Sequence, residues 1–466
     1  MARKKKTVLE NLKIESYAAE GKCIAKHNEK IIFVEGAVPG DVVDVFIQKN
    51  KKDWAQGQVL NLISPSVNRI EPFCQHFGTC GGCKWQMLDY SLQLTYKEQQ
   101  VKDQLQRIGK IDVDEYLPIL GCEKTTLYRN KLEFTFSNKQ YLSREMLNSN
   151  ETFDKNVLGF HAPKLFDKVI DIQECHLQEV PTNAIKNFIR NYAFENKLSF
   201  YDIRFHHGLF RNLIIRISKK GEVLINLIFG EDNQIEIEKC CHAIAKEFPS
   251  ITSFYYTINT KMNDTIYDLP LVLFSGKKYI EENLEDFRFQ ISPKSFFQTN
   301  SYQAEKLYKI VRQFANLKGT EILYDLYCGT GSIGIFLSKN AKKIIGVETV
   351  EDAIEDAKLN AKENNITDAH FFAGDVIKIC NDTFFKEHGF PDCIILDPPR
   401  AGLHNDLIEK LLEIKCPRIV YVSCNPATQA RDVNLLQEKY NVIRSQAVDM
   451  FPHTHHIENV LLLELK

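Results

Sequence analysis

From about residue 290 to the C-terminus, short runs of β-forming residues alternate with stretches of helical periodicity. Parallel strands need a long crossover between them, and a helix is the usual one, so this rhythm commits the region to an open, doubly wound α/β sheet. The strand runs are 322–326, 344–348, 369–372, 393–396 and 420–422. Residues 301–315 read as the first helix of the set, with Ala304, Leu307, Tyr308, Val311 and Phe314 on one face and Asn300 and Gln303 placed to cap its start. Sheets of this kind bind ligands at the carboxyl ends of their strands. Chemistry is therefore expected in the residues that follow each run.

After the first run, Gly329-x-Gly331-x-x-Gly334 lets the backbone approach a ligand closely, and the second run ends in Glu348, a carboxylate able to accept from two ribose hydroxyls. That pair suits NAD and S-adenosylmethionine equally. Asp375, after the third run, is placed to meet an adenine edge. The fourth run ends in Asp397-Pro398-Pro399-Arg400, where two prolines freeze one carboxylate at the sheet edge. Hydride transfer has no use for such a group, whereas methyl transfer to a nucleobase needs a grip on the base's polar edge. The fifth run ends in Ser423-Cys424-Asn425-Pro426 and sets a thiol at the same edge. Carbon 5 of a pyrimidine is a poor nucleophile. A thiolate adding to carbon 6 turns the ring into an enolate whose carbon 5 can take a methyl group, and a base must then remove the carbon 5 proton. Cys424 is the candidate nucleophile, set against the reading of a small buried hydrophobe. Glu458, just before the last strand, is a candidate base in competition with His453, His455 and His456.

Upstream, residues 1–63 read as a small β module, with strands at 31–34, 42–47 and 59–63 and basic residues Lys4, Lys5, Lys6, Lys49, Lys51 and Lys52. Cys74 is followed by Cys80-Gly81-Gly82-Cys83, a spacing suited to two ligands on one metal. Cys175 is the best-placed fourth ligand, with Cys122 as runner-up and His76 as the ligand of a Cys3His zinc site. Spacing alone does not choose between zinc and an iron–sulfur cluster. Residues 90–108 carry helical periodicity, and 117–275 are mostly strands with helices near 182–195 and 235–247. There, Arg129, Lys131, Arg204, His206, His207, Arg211 and Arg216 with Phe134, Phe205 and Phe210 make either a base-stacking, phosphate-holding face or the polar side of a sheet. The Asn- and Glu-rich 138–157 segment reads as a local insertion. A net charge of −2 means that any nucleic-acid contact relies on local basic surface. Thirteen cysteines without a secretory signal, and no apolar run of membrane-spanning length, point to the cytoplasm.

Two sets of motifs carry a resemblance. Glu35-Gly36-Ala37-Val38-Pro39-Gly40-Asp41-Val42-Val43 resembles a TRAM domain, an RNA-binding β-barrel. Phe297-Gln298, Asp325 to Gly331, Asp397 to Arg400, Ser423 to Pro426 and Phe451-Pro452-His453-Thr454-x-His456-x-Glu458 resemble the RNA (uracil-5-)-methyltransferase family, and the cysteine set resembles its 23S ribosomal RNA branch. The resemblance implies three parts: a TRAM-like barrel at 1–63, a central α+β RNA-binding sheet domain with the cysteine loop at 64–280, whose helix at 90–108 is able to pack on the catalytic domain, and a Rossmann-like class I methyltransferase domain at 281–466. It implies a [4Fe-4S] cluster on Cys74, Cys80, Cys83 and Cys175, and S-adenosylmethionine contacts from Gln298, Tyr327, Glu348 and Asp397. It implies a nucleophile at Cys424, a base at Glu458, and 23S ribosomal RNA as substrate, with transfer RNA as the alternative and a non-catalytic RNA-binding factor behind both. No membrane contact and no obligate protein partner are expected.

Overall fold

The run 322–326 forms the strand Ile322–Leu326 at the centre of an eight-stranded sheet. In a computed structural model describing residues 7–149 and 152–466, that sheet has the order Ala369–Ala373, Lys343–Glu348, Ile322–Leu326, Cys393–Leu396, Arg418–Ser423, Glu458–Leu465, Tyr440–Val448, Val113–Leu120. Lys4, Lys5 and Lys6 and positions 150 and 151 of the 138–157 segment lie outside the described residues. The first five strands are parallel. Their side chains feed two apolar clusters, one on each face, with helices Ser301–Ala315 and Ser332–Leu337 on one side and Asn405–Ile414 and Pro426–Leu436 on the other. Burial on both faces explains why these strands read as continuous apolar runs instead of alternating ones. Strand order reverses between Ile322–Leu326 and Cys393–Leu396, so the crevice above that pair is the topological switch point.

Glu458–Leu465 runs antiparallel between Arg418–Ser423 and Tyr440–Val448. The far edge is Val113–Leu120, paired parallel with Tyr440–Val448. Helix Tyr90–Arg107 packs against Pro426–Leu436, in line with the reading of 90–108, and the strand that follows it joins the C-terminal sheet, which the division at residue 281 did not include. The fastening is polar and buried: Lys97 Nζ lies 2.7 Å from Asp449 Oδ1, both side chains being fully buried, and the Tyr90 hydroxyl donates to Asp449 Oδ2 at 2.9 Å. A buried pair of this sort specifies which surfaces meet, since losing one partner strands the other charge at a cost of about 3–5 kcal/mol. Nothing in the amphipathic pattern of the helix announced that Lys97 would face inward.

The N-terminal sheet closes on itself because the segment 8–17 pairs at its start with Val42–Asn50 and at its end with Cys23–His27. Its core is small and aliphatic, with Ile32, Val34, Val43 and Val45 at its centre. The central sheet has seven strands, with Thr182–Glu195 and Gln234–Glu247 covering one face. Here the stacking-face reading needs correction. Phe134 and Phe210 are completely buried in the core, and of the three phenylalanines only Phe205 is exposed, at 73%. Arg211 is also buried, donating to the carbonyls of Asn259, Lys261 and Asn263. The period-two alternation that suggested a wet face is overridden by helices on one side and by loops on the other.

Candidate active site and cysteine cavity

A cavity of about 1090 Å³ opens over the switch point, and Gln298, Tyr327, Glu348, Asp397, Cys424 and Glu458 all line it. The floor begins where Ile322–Leu326 ends. Tyr327 has φ +65°, an uncommon conformation for a residue with a side chain, and its N–H is held by the Val347 carbonyl at 2.9 Å. Gly331 follows at φ +74° and opens helix Ser332–Leu337. A Cβ there would sit 2.9 Å from the Phe371 ring, so the turn requires glycine at this position. The Glu348 carboxylate is held before any ligand arrives: Oε1 accepts from the N–H groups of Thr349 and Val350, and Oε2 from Gly329 N–H at 3.3 Å. Beneath them, fully buried Asp325 accepts from Gly334 N–H at 2.8 Å, and burial pushes its carboxyl up to about 7.

The opposite wall brings Cys424 and Glu458 together through register. Ser423 is paired with Asn459 across an antiparallel ladder, so the end of the Cys424 strand lies beside the start of the Glu458 strand. Asn459 is locked by Gln429, which it meets at 2.8 Å. The Asp-Pro-Pro loop is stitched to the Cys424 turn: Asn425 Nδ2 and the Thr428 hydroxyl both donate to the Arg400 carbonyl, at 3.0 and 3.2 Å. Asn425 also caps helix Pro426–Leu436. The sharp turn that presents the thiol is therefore a helix N-terminus.

The electrostatics of this wall follow from three acidic groups sharing a dry recess. Burial, then the neighbouring Glu458 and Asp397, push the Cys424 thiol up to about 11, and Arg400 pulls it the other way. Burial raises Asp397 to about 7, and burial with Asp397 nearby holds Glu458 well above the usual carboxylate range, again opposed by Arg400. Arg400 is itself held by His456, whose Nδ1 it contacts. Burial pulls His453 and His455 down to about 4 and His456 to about 3, so all three rings are neutral near pH 7. The sign for the thiol is simple: below about pH 11 the proton stays on sulfur in the ligand-free protein. Site-resolved iodoacetamide labelling of Cys424 is expected to quicken about tenfold per pH unit from 7 towards 11. Arg400→Ala is expected to slow it at every pH below that, because a cation that favours the thiolate is gone.

The Asp375 Oδ1 accepts from Ile377 N–H at 2.8 Å and caps helix Val376–Ile379, close to Tyr327 in the cavity wall. One sequence expectation fails here. Arg129 and Arg216 brace the site instead of facing solvent: Arg129 lies over the Phe451 ring at 5.3 Å, and buried Arg216 donates to the Ser295 carbonyl at 2.6 Å. Asn130 adds a bond to the Gln298 carbonyl at 2.8 Å, so the central sheet positions the 292–300 loop. Sequence reading also missed the Tyr308 and Ser332 hydroxyls, 2.8 Å apart in the cavity wall. The only trace of this pair in the chain is a tyrosine on an otherwise apolar helix face.

A second cavity, of about 420 Å³, is lined by Cys74, Cys80, Cys83 and Cys175 together. Burial, with the neighbouring thiols adding to it, pushes Cys83 to about 12 and Cys175 to about 11. Cys122 belongs elsewhere, donating to the Asp449 carbonyl at 3.0 Å, which removes the runner-up. His76 lines the same cavity, but its Nε2 accepts from Gln173 N–H at 3.1 Å. Among the described residues no three Cys, His, Asp or Glu side chains are grouped as a single-ion site.

Comparison with known proteins adds the following. Residues 272–466 match the tRNA (Uracil-5-)-methyltransferase family and residues 9–60 the TRAM domain. An uncharacterized RNA methyltransferase of Bacteroides thetaiotaomicron is 52% identical over 453 residues, covering 96% of this chain and all of that one. Another from Porphyromonas gingivalis is 48% identical, covering 97% and 99%. Among solved structures, the tRNA (uracil-54, C5)-methyltransferase of Pyrococcus abyssi, in complex with S-adenosyl-L-homocysteine, is 30% identical with a TM-score of 0.74, covering 98% of this chain and all of that one. No helix among the described residues is long and apolar enough to cross a membrane.

Proposed function

Because the chain belongs to the RNA (uracil-5-)-methyltransferase family, we propose that it methylates carbon 5 of a uridine in 23S ribosomal RNA through a covalent bond between Cys424 and the base. One observation carries this reading: a thiol, two raised carboxyl groups and a restrained ribose-type acceptor line a single cavity at the switch point. S-adenosylmethionine supplies an electrophilic methyl group when bound. Glu348, Tyr327, Asp397 and Gln298 would hold it, and the cavity they line is of the size that small cofactors occupy or larger.

In this mechanism the Cys424 proton passes to solvent and its sulfur adds to carbon 6 of the uracil, giving the enolate. Carbon 5 would then take the methyl group as the bond from that methyl to the donor's sulfonium sulfur breaks, the electron pair staying on the departing thioether. Glu458 removes the proton from carbon 5, and elimination returns the electron pair to sulfur and frees the thiolate. Glu458 must be ionised at that moment. Arg400, which favours the anionic form of both groups, supports the two charge states in turn.

The cysteine cavity supports a [4Fe-4S] cluster held by Cys74, Cys80, Cys83 and Cys175. Cys80, Cys83 and Cys175, whose ionisation is opposed by burial and by the neighbouring thiols, need a multivalent cationic partner to bind as thiolates. A cluster there would order the loop and supply no step of the methyl transfer. The domain limits 1–63, 64–280 and 281–466 stand in this reading with one amendment, that residues 90–120 go with the catalytic unit.

A second reading, transfer RNA as substrate, has a specific observation in its favour. The Pyrococcus abyssi tRNA enzyme aligns with essentially the whole chain, so the barrel and cysteine segments do not separate the two RNA classes. Purified protein with labelled methyl donor, offered 23S ribosomal RNA and transfer RNA separately, is expected to make 5-methyluridine in the ribosomal substrate. Label in transfer RNA alone would reverse the assignment, and label in neither would reject methyl transfer to both.

A further inference from the structure

Two residues link the walls of the two cavities: Arg129, which lines the cysteine cavity and lies over the Phe451 ring, and His453, which lies between Phe451 and the cysteine loop. The loop that carries Phe451 into the active site and leads to Glu458 turns at His453, which has φ +63°. The His453 carbonyl accepts from Lys84 N–H at 2.7 Å and Trp85 N–H at 3.1 Å, the two residues directly after Cys83. Its ring packs edge-on against Phe73, the residue before Cys74, with centroids 5.1 Å apart. Phe73 in turn packs edge-on against His176, the residue after Cys175, at 5.6 Å. Three of the four cysteines thus have an immediate chain neighbour in contact with His453, or one ring removed from it. The other side is equally fixed. Gln93, on the helix that joins the catalytic sheet, accepts from His453 N–H at 2.9 Å and lies 3.2 Å from its Nδ1. Tyr128 donates to the Pro452 carbonyl at 3.1 Å.

We propose that His453 is a positioning residue through which the cysteine loop sets the placement of Phe451 and Glu458. This rests on the reading of Glu458 as the base. A backbone turn in the left-handed region is held only by its surroundings, and here the cysteine loop supplies one side of them. Loosening that loop, by loss of whatever the four thiols bind, frees the turn. Displacement of a base by about 1 Å is enough to cost on the order of 100-fold in rate. The cysteine cavity is then a mechanical support of the active site, reaching it without touching substrate.

The test uses the full-length protein as purified. His453→Asn keeps a residue that tolerates positive φ and removes the ring. Phe73→Ala removes the other half of the ring contact at a residue 43% exposed, so it serves if the first variant does not fold. Amide hydrogen exchange of the peptide spanning 451–458 is expected to rise about tenfold in each variant. The kcat is expected to fall about tenfold or more, with KM for RNA and the dissociation constant for S-adenosylmethionine within about twofold. Cys83→Ser is expected to raise exchange at 451–458 by itself, and to add little in the His453→Asn background. Exchange at 451–458 that is unmoved by Cys83→Ser, or effects that add in full, would overturn the coupling. If instead Glu458→Gln retains full turnover, the base assignment fails while the exchange result still reports on the coupling, so the two failures are told apart.

Discussion

Cys424→Ala is expected to end methyl transfer and to leave no covalent protein–RNA species on a denaturing gel, with S-adenosylmethionine bound as in the parent protein. The loss should be on the order of 10⁶-fold, the scale seen when a covalent nucleophile is removed. The fold has no reason to fail. Cys424 sits half-buried at a strand end, and the turn is held by its neighbours: Ser423 Oγ accepts from Asn425 N–H at 3.1 Å, and Asn425 caps the following helix. Only the nucleophile is lost, since a methyl side chain occupies less room than the thiol and leaves the Arg400 carbonyl with both of its donors. A variant that still makes 5-methyluridine at more than a few per cent of the parent rate would remove covalent catalysis from the scheme.

Glu458→Gln is expected to behave differently, and the contrast is the stronger test. The amide fills the same recess and takes no proton. Addition of sulfur and transfer of the methyl group should proceed, and the carbon 5 proton should then stay in place. A methylated, covalently attached RNA is expected to accumulate at about one per protein while turnover falls by roughly 10²–10⁴-fold. Mass spectrometry of the trapped conjugate distinguishes it from an unmethylated adduct. Absence of any trapped species, with turnover retained, would pass the role to another group. The histidines of the 453–456 segment are poorly placed for it: His456 is engaged with Arg400 and His453 with Gln93 and Phe73.

How much of this was written in the chain varies from group to group. The sheet was readable because parallel strands buried on both faces leave unbroken apolar runs. The candidate site followed because strand ends gather at one edge, so Glu348, Asp397 and Cys424 could be brought together without knowing the strand order. Glu458 was reachable for another reason, since an antiparallel last strand must begin where its neighbour ends. What failed were readings of face and partner. Phe134 and Phe210 alternate as a half-wet strand would, yet helices bury them. Lys97 reads as a surface lysine because its partner, Asp449, is 352 residues away. Long-range polar pairing leaves no periodic trace, so the bracing by Arg129, Arg216, Gln93 and His453 was invisible until the coordinates put those groups side by side.

The strand Val113–Leu120 at the outer edge of the catalytic sheet bears on the architecture of the whole chain. Because residues on both sides of the seven-stranded unit contribute to one sheet, that unit is an insertion within the methyl-transferring body, with its entry and exit both anchored there. A fragment begun at residue 281 would expose the open edge of Tyr440–Val448 and a bare apolar flank on Pro426–Leu436, a template for self-association. The smallest autonomous catalytic piece would instead be discontinuous, made by splicing the segment that starts near Tyr90 directly onto the later one.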